Sequence, residues 1–508
     1  ILLLLMLFVT PLCAQDIEHT YRNPVIAGDL PDPTIIRVGE DYYASGTTSH
    51  FAPAYPLYHS RDLINWEQIG SVFNEIPDWI KGDCWAPELF YHNDTFYVYY
   101  TARKKSDNTS CIGVATTRNI RHGFADHGPL IEWGSEAIDA FVFNDEGKLY
   151  ITWKAYGLDP ERPIEILASE LSADGLQLVG EHFSLTRHDE GWIGQGDEGQ
   201  CIIKHGDYYY HFYSVGGCCD RRCDYRLEVA RAKSLRGEWE QFEGNPILEG
   251  GGLWKCSGHG TVVQTPDGRY FYLYHAYHAY DFVFVGRQGL LDEIMFDEQT
   301  QWPYFRFGKN PTAQAPVPFA GTVQEVKSYF FDHFSDKKPQ WLSDMTLTTP
   351  IIYRNNDGLV FASEEPGMCV YLVNPHTGNY QAETQVSNQG GGFSGLCVYG
   401  SNENLFAWGI EHNSVKLYRI EGNRKEEVYT KEIGTDSASL RIESFNARSF
   451  AFAWSVNGDD WTIYPEKPDV IDGYYIPAWG RGVRVGLIID TQSRSDKALF
   501  RYFHLLNR

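Results

Sequence analysis

A short pattern recurs five times along the chain: a turn of Asn, Asp or Gly residues followed by a strand rich in aromatic residues. Its copies stand roughly 53 to 62 residues apart, and each is marked by one tyrosine: Tyr43, Tyr97, Tyr150, Tyr210 and Tyr272. Asn, Asp and Gly adopt the positive φ angles that tight hairpins need. One four-stranded blade fits a step of this length, and five blades close a ring without a long exposed edge. The repeat therefore predicts a five-bladed β-propeller over residues 20–310.

The sequence changes character after the fifth copy. Residues 311–324 contain several prolines and no period, which is typical of a linker. Residues 325–508 alternate again: Phe450 and Phe452 share one face of a strand, and Asn457-Gly458 supplies a hairpin turn. No helical period competes with this alternation. This region predicts an antiparallel β-sandwich, so the whole chain is expected to be all-β.

The composition supports this fold class and limits the partners. The chain has 33 Tyr, 29 Phe, 14 Trp and 48 Gly residues, a set typical of β-rich proteins. Its 43 Lys and Arg residues are outnumbered by 67 Asp and Glu residues, so the formal net charge is −24. Because binding through phosphate neutralisation needs a basic surface, we expect no nucleic-acid partner.

The start of the chain indicates export, which in turn bears on its cysteines. Residues 1–14 are uncharged and apolar, too few to span a bilayer as a helix, and resemble the core of a secretory signal whose beginning is truncated. We expect cleavage after Ala14 and a secreted or periplasmic protein without membrane insertion. Cys218, Cys219 and Cys223 crowd into one loop. In an exported protein this favours a local disulfide over a metal site.

Three acidic residues stand in phase with the repeat, where the predicted innermost strands begin. Asp32 precedes the apolar strand of the first blade, Asp139 that of the third and Glu198 that of the fourth. Inverting glycoside hydrolysis needs a carboxylate that activates water and a carboxylic acid that protonates the leaving oxygen. A third carboxylate can hold the pKa of the acid up, because like charges in one site disfavour ionisation. The three residues are therefore the candidate catalytic group.

Each of the three also has an ordinary structural interpretation. Asp32 lies between two prolines, and such an Asp is a common turn residue. Asp139 could cap a strand, and Glu198 could be a solvated carboxylate in a turn bounded by glycines. Their common phase with the repeat is what favours the catalytic hypothesis.

Several short motifs accompany these acids: Asn23-Pro24-Val25 with Pro31-Asp32-Pro33-Thr34, Ser60-Arg61-Asp62-Leu63, Trp85-Ala86-Pro87-Glu88, Ile138-Asp139-Ala140, Glu198-Gly199-Gln200 and Gly258-His259-Gly260. Together they resemble glycoside hydrolase family 43 over almost the whole predicted propeller. The resemblance implies an inverting enzyme that needs no organic cofactor. It implies Asp32 as the general base, Glu198 as the general acid, and Asp139 as the residue that orients the acid and tunes its pKa. The sequence departs from the commoner family motifs at Ala140 and Gln200, where the family more often has proline.

The resemblance also implies binding residues. Phe51 and Trp85 resemble the aromatic walls of a sugar pocket, and Arg287 resembles an arginine that reaches into it from the last blade. Aromatic residues at strand ends alternatively belong to the core, and Arg287 could form a surface ion pair. His259 resembles a channel histidine that in some relatives lies near Ca2+ or a water cluster, but it could equally be hydrogen-bonded structure.

The expected function is the release of xylosyl or arabinofuranosyl units from plant cell-wall polysaccharides or their oligosaccharides. An open groove would instead make the protein an endo-acting xylanase or arabinanase. A non-catalytic carbohydrate-binding propeller is a third alternative, although it is expected to lack one of the three acids. The C-terminal region resembles the accessory sandwich of many family 43 xylosidases and arabinofuranosidases, which could line the pocket rim or bind carbohydrate by itself.

Overall fold

The computed structural model describes residues 19–159, 162–187 and 197–508. The predicted secretory segment at residues 1–14 lies outside these ranges. The described chain is almost entirely β-structure, and its one helix, α1 (Phe282–Val285), is a single turn. No helix in these ranges is both long and apolar enough to cross a membrane.

The repeat folds as a five-bladed β-propeller, and each blade is built from four antiparallel strands. A short strand, β1 (Thr20–Arg22), precedes the blades. The first blade contains β2 (Thr34–Val38), β3 (Asp41–Ser45), β5 (Ala54–Ser60) and β6 (Glu67–Phe73), with β4 (Phe51–Ala52) between β3 and β5 in sequence. The second contains β7 (Ile80–His92), β8 (Thr95–Lys104), β9 (Ser110–Thr117) and β10 (Ala125–Ile131). The third contains β11 (Glu136–Asp145), β12 (Lys148–Asp159), β13 (Arg162–Leu171) and β14 (Leu178–Arg187). The fourth contains β15 (Glu198–His205), β16 (Tyr208–Val215), β17 (Arg226–Ala232) and β18 (Glu240–Gln241). The fifth contains β19 (Trp254–Gln264), β20 (Tyr270–His278), β21 (Arg287–Phe296) and β22 (Pro303–Phe305).

The five marker tyrosines all lie in the second strand of a blade, namely β3, β8, β12, β16 and β20. The first strand of each blade contacts the first strands of both neighbouring blades, so β2, β7, β11, β15 and β19 form a closed ring. Because every blade repeats the same strand order, these inner strands begin at the same end of the ring. The fold class predicted from the repeat is confirmed.

Segments that flank the blades in sequence lie where the fifth blade meets the first. β1 pairs with β23 (Gln314–Pro316), a strand inside the segment that the composition predicts to be a linker. Between β1 and β2, the backbone N–H groups of Val25 and Ile26 donate to the carbonyl of Gly289 in β21, at 2.9 and 3.1 Å. The N-terminal segment thus runs along the fifth blade and joins it to the first.

The C-terminal domain is a sandwich of two antiparallel sheets. One sheet contains β24 (Tyr329–Asp332), β26 (Pro350–Asn355), β27 (Gly358–Ser363), β29 (Tyr380–Gln389), β34 (Ser437–Phe445), β35 (Ser449–Ser455), β36 (Thr462–Tyr464), β37 (Ile471–Asp472) and β39 (Lys497–Asn507). The other contains β28 (Gly367–Val373), β30 (Phe393–Ser401), β31 (Asn404–Glu411), β32 (Ser414–Glu421), β33 (Arg424–Glu432) and β38 (Arg484–Thr491). Fully buried side chains such as Trp408, Phe452 and Phe500 fill the core between them. A further strand, β25 (Ser343–Asp344), pairs with β4 of the propeller and so connects the two domains.

Glu88 lies buried in the ring of inner strands, where it links three blades. The hydroxyl of Thr34 in β2 donates a hydrogen bond to Glu88 Oε2 at 2.6 Å, and the backbone of Val142 in β11 donates another. Burial raises the pKa of Glu88 to about 8, although both hydrogen bonds act in the opposite direction. The group is therefore a largely protonated structural bridge at neutral pH.

Replacing Glu88 by Gln is expected to change how stability depends on pH. The unfolded chain loses this proton near the usual pKa of 4.5, whereas the folded protein keeps it up to about pH 8. Protonated Glu88 therefore makes its full contribution to the free energy of unfolding below the unfolded pKa. That contribution is lost as the pH rises towards 8, by at most about 1.4 kcal/mol per pH unit. Thermal unfolding between about pH 5 and pH 8 should show the wild type losing stability relative to Glu88→Gln. The exposed Glu75 provides the control variant Glu75→Gln, and a difference that does not vary with pH would contradict the prediction.

Candidate active site

The three predicted acids stand where the inner strands depart from regular geometry. Asp32, just before β2, and Asp139, within β11, have left-handed backbones with φ of 53° and 57°. The pairing of β11 with β12 shifts between Ile138 and Phe141, and that of β15 with β16 shifts directly after Glu198. Bulges and left-handed residues turn a side chain out of the alternation of a strand and are common next to active sites.

Asp32 is held by donors from other parts of the propeller. Thr47 donates a hydrogen bond to its Oδ2 at 2.7 Å, and the Arg287 guanidinium donates to its Oδ1 at 2.8 Å. His259 Nδ1 lies 3.4 Å from the same Oδ1. Asp32 is nearly buried, with 8% of its surface exposed. Its carboxylate is therefore fixed in orientation by a blade-five arginine and a blade-one hydroxyl.

His275 fixes the backbone of Asp32. The Asp32 N–H donates to His275 Nδ1 at 3.0 Å, so this nitrogen is an acceptor and the ring proton is on Nε2. Burial, together with the charge of Arg287, lowers the pKa of His275 well below its usual value. The ring is therefore neutral, and its approach to the carboxylate of Asp32 is not an ion pair.

Glu198 lies between a cation and a phenol. Lys154 Nζ is 2.5 Å from its Oε2, and the Tyr225 hydroxyl donates to its Oε1 at 2.8 Å. Burial alone would raise the pKa of Glu198, but the charge and hydrogen bond of Lys154, together with His259 and the Tyr225 hydroxyl, outweigh burial and lower it. Before substrate binds, Glu198 therefore favours the carboxylate form.

Asp139 has the opposite tendency. It is 6% exposed, and burial raises its pKa to about 6, with the charge of Glu198 acting in the same direction. Thr101 Oγ1 accepts a hydrogen bond from its backbone N–H at 3.1 Å, and the Gln200 side chain donates to its carbonyl. Because Asp139 and Glu198 affect each other's ionisation, they form one titrating pair.

The structure brings together five of the seven residues singled out from the sequence: Asp32, Asp139, Glu198, His259 and Arg287. Trp85 lies at an irregularity near the start of β7, partly exposed, with the Arg103 guanidinium 5.5 Å from the centre of its ring.

Phe51 lies elsewhere. Its ring is 0% exposed and packs among sandwich residues, edge-on to Tyr399 with 6.4 Å between ring centres. The guanidinium of Arg484 lies 3.8 Å from the centre of the Phe51 ring. The prediction that Phe51 forms a wall of the sugar pocket is therefore not supported, because this strand-end aromatic belongs to the core between the domains.

His259 lies beside Asp32, and calcium at this position stays a prediction. No three His, Cys, Asp or Glu side chains in residues 19–159, 162–187 and 197–508 stand close enough to share a metal ion. Calcium prefers six to eight oxygen ligands. The backbone N–H of His259 donates to Ser214 Oγ at 2.8 Å, and its ring faces Asp32, which is the hydrogen-bonded role considered as the alternative.

The cysteine-rich loop forms two disulfides. One joins the adjacent Cys218 and Cys219, and the other joins Cys223 to Cys256 in β19. The prediction of a local disulfide is confirmed. The second bridge anchors the loop two residues before Tyr225 and three residues before His259 in sequence, so it connects two elements that contact the candidate acids Glu198 and Asp32.

Two contacts at the site were not predicted from the sequence. Lys154 is a single charged residue within an otherwise apolar stretch of β12 and is 2% exposed. That isolated charge was an available signal, because lysine is rarely buried without a partner. Tyr225 is one of 33 tyrosines and had no comparable signal.

Paired carboxyl groups with opposite tendencies to ionise, at one end of a propeller, are the arrangement of a glycoside hydrolase. Comparison with known proteins gives the family. The profile of glycosyl hydrolases family 43 matches residues 21–303, and that of the β-xylosidase C-terminal concanavalin A-like domain matches residues 376–505. The chain belongs to glycosyl hydrolases family 43, and the resemblance of its motifs is confirmed.

Individual relatives are similar over different parts of the chain. A xylan 1,3-β-xylosidase of a Vibrio species is 26% identical over 87% of this chain and 90% of its own length. An extracellular exo-α-(1→5)-L-arabinofuranosidase of Cellvibrio japonicus is 29% identical over 50% of this chain and 80% of its own length. The crystal structure of a xylan β-1,4-xylosidase from Bacillus halodurans has the same fold, with a TM-score of 0.83 and 21% identity over 96% of this chain and all of that one.

Removing the two disulfides separately is expected to have different effects. The Cys223–Cys256 bridge closes a loop with a sequence separation of 33, so replacing both residues by Ser should cost about 3 kcal/mol of unfolding free energy and lower activity. The matched control replaces Cys218 and Cys219 by Ser; this bridge joins residues with a separation of 1 and constrains the unfolded chain little. Thermal unfolding and hydrolysis rates of both variants test this, and equal losses of stability would contradict it.

Proposed function

We propose that this enzyme is an exo-acting, inverting glycosidase that releases terminal xylosyl or arabinofuranosyl units from plant cell-wall polysaccharides or their oligosaccharides. The observation that carries the proposal is the convergence of Asp32, Asp139 and Glu198, from three different blades, around Arg287 and His259. Family membership supports the reaction class. The sugars are those in the names of the relatives, and the Vibrio relative extends over both domains.

Asp32 acts as the general base in this proposal. Thr47 and Arg287 each donate to one of its oxygens, which leaves the remaining acceptor positions for the attacking water. Since the two donors come from different parts of the propeller, the carboxylate cannot rotate freely. Such fixed orientation is what aligns a water with the anomeric carbon.

Glu198 acts as the general acid, and Asp139 holds the proton that Glu198 needs for this role. A single proton on the Asp139–Glu198 pair rests preferentially on Asp139 before substrate binds, because Lys154 stabilises the Glu198 carboxylate. Protonation of the leaving oxygen requires that proton on Glu198. Asp139 is thus the group that keeps a proton at the site up to about pH 6, and Lys154 sets the pH at which Glu198 can use it.

Exo action is supported by the position of the sandwich. The carbonyl of Gly480, in a sandwich loop, accepts a hydrogen bond from Arg287 Nη2 at 3.1 Å. A loop that contacts the arginine bound to the base limits the site on that side. This favours a pocket for one terminal sugar over an open groove for an internal stretch of polysaccharide.

We further propose that the protein is exported and that catalysis needs no organic cofactor. The two disulfides support export, because structural disulfides persist in oxidising compartments. Acid–base chemistry by carboxyl groups accounts for the reaction with the residues present, and no step requires an electron carrier.

Hydrolysis of a panel of nitrophenyl pentosides and of xylo- and arabino-oligosaccharides tests the reaction and the roles of the two catalytic acids. Asp32→Asn should lose activity by about a thousandfold or more on every substrate, because water activation is needed whatever the leaving group. Glu198→Gln should lose much more activity on oligosaccharides than on substrates with good leaving groups, which need little protonation. Wild-type rates in Asp32→Asn, or equal losses on both substrate classes in Glu198→Gln, would contradict the assignment. Cleavage only within long chains would favour an endo-acting enzyme.

Replacing Lys154 by Met is expected to move the basic limb of the pH profile upwards. Lys154 lowers the pKa of Glu198 in the wild type, so its removal raises that pKa and keeps the acid protonated at higher pH. The kcat/KM profile should extend by about one pH unit on the alkaline side. Lys204→Met is the matched control, since Lys204 pairs with Glu146 at 2.8 Å on a turn away from the site. An unchanged alkaline limb in Lys154→Met would contradict the prediction.

A further inference from the structure

A segment of the sandwich, residues 479–484, consists of a loop and the first residue of β38 and lies directly against the part of the propeller that holds Asp32. The backbone N–H of Gly480 donates to the carbonyl of Cys219 at 2.9 Å, and that of Val483 donates to the carbonyl of Phe284 at 2.8 Å. We call this segment the interdomain loop. Its backbone is therefore anchored to two separate parts of the propeller, the cysteine-rich loop and α1.

Asp29 is the centre of the contact between the domains. Its Oδ1 accepts a hydrogen bond from the backbone N–H of Arg287 at 3.1 Å. Its Oδ2 accepts from the backbone N–H of Gly482 at 2.9 Å and from Arg484 Nη2 at 3.2 Å. The side chains of Asp29 and Arg484 are both 2% exposed, so this is a buried ion pair between the propeller and the sandwich.

Arg484 has little freedom to leave this position. Its Nη1 donates to the carbonyl of Gly482 at 3.0 Å, and Phe51 of the propeller lies against its guanidinium at 3.8 Å. The aromatic ring contacts the face of the guanidinium and the carboxylate bonds to its edge, so the group can neither tilt nor slide away easily. The complete burial of Phe51 is explained by this role.

Arg287 connects this ion pair to the base. Its backbone bonds to Asp29, its Nη1 donates to Asp32 at 2.8 Å, and its Nη2 donates to the carbonyl of Gly480 at 3.1 Å. Arg287 therefore contacts the base and two residues of the interdomain contact at once. Its guanidinium also interacts electrostatically with Asp29.

We propose that Arg484 of the sandwich is a positioning residue for the general base, which acts through Asp29 and Arg287; this rests on the proposed function, in which Asp32 is that base. Without Arg484, the buried carboxylate of Asp29 lacks its counter-charge. Arg287 is a cation within reach of both carboxylates, and it is drawn towards Asp29 and away from Asp32. The sandwich is then part of the catalytic apparatus and not only an attached module.

The full-length wild type is compared with Arg484→Met, Arg484→Lys, Asp29→Asn and the double variant Asp29→Asn/Arg484→Met. Arg441→Met is the matched control, because Arg441 pairs with Glu383 at 2.8 Å inside the sandwich. Rates are measured with a nitrophenyl pentoside well below the melting temperature and corrected for the folded fraction. The readouts are kcat and KM, measured separately, and the coupling between Asp29→Asn and Arg484→Met in their effects on kcat.

Arg484→Met should lower kcat by about tenfold or more, and Arg484→Lys should recover part of the loss because it restores the charge. The double variant should be more active than Arg484→Met, because it leaves no unpaired buried charge. Arg441→Met should keep the wild-type kcat even where its melting temperature falls.

Wild-type kcat in folded Arg484→Met would overturn the proposal. So would a double variant whose fold-reduction in kcat equals the product of the fold-reductions in the two single variants, because the two residues would then act independently. The proposed function is tested separately with Asp32→Asn. An inactive Asp32→Asn beside a fully active Arg484→Met would overturn the positioning role alone. A fully active Asp32→Asn would overturn the base assignment and the positioning role together.

Discussion

The closed ring of inner strands is the constraint on which the site depends. Each inner strand packs against the first strands of two other blades, so none can move without disturbing its neighbours. Glu88 reinforces the ring through Thr34 and Val142, residues that lie within three positions of Asp32 and Asp139. The left-handed backbones of Asp32 and Asp139 are tolerated because this framework holds the strands that carry them.

Buried charge at the site is compensated in pairs, and the pairs connect separate parts of the molecule. Lys154 neutralises Glu198 within the propeller, Arg287 joins blade five to Asp32, and Arg484 joins the sandwich to Asp29. Removing one partner of such a pair lowers the free energy of unfolding by far more than the intact pair contributes to it, because the remaining charge stays buried without a counter-charge. The ionisation of the acids and the docking of the domains therefore depend on the same electrostatic network.

The sequence was sufficient to predict the blades, because turn residues and aromatic strands recur with a period that only a few folds can satisfy. It also singled out Asp32, Asp139 and Glu198 by their position within the repeat; the structure brings them together, and their catalytic roles stay a prediction. It placed Phe51 incorrectly, because an aromatic at a strand end looks the same whether it faces a ligand or another domain. Arg484 had no signal, since its partner Asp29 is separated from it by almost the whole chain. Such contacts depend on how two domains dock, and local pattern carries no information about docking.

The strand pair that flanks the blades also constrains the order in which the protein can fold during synthesis. β1 leaves the ribosome before the blades, but its partner β23 follows the fifth blade. The ring of inner strands therefore stays open until the fifth blade has been translated. β1 remains an unpaired strand until nearly the whole propeller domain has been made. The sandwich, which supplies the last contacts around Asp29, is made later still. In a nascent chain of this kind, the contacts around Asp29 form only when its C-terminal part has been completed.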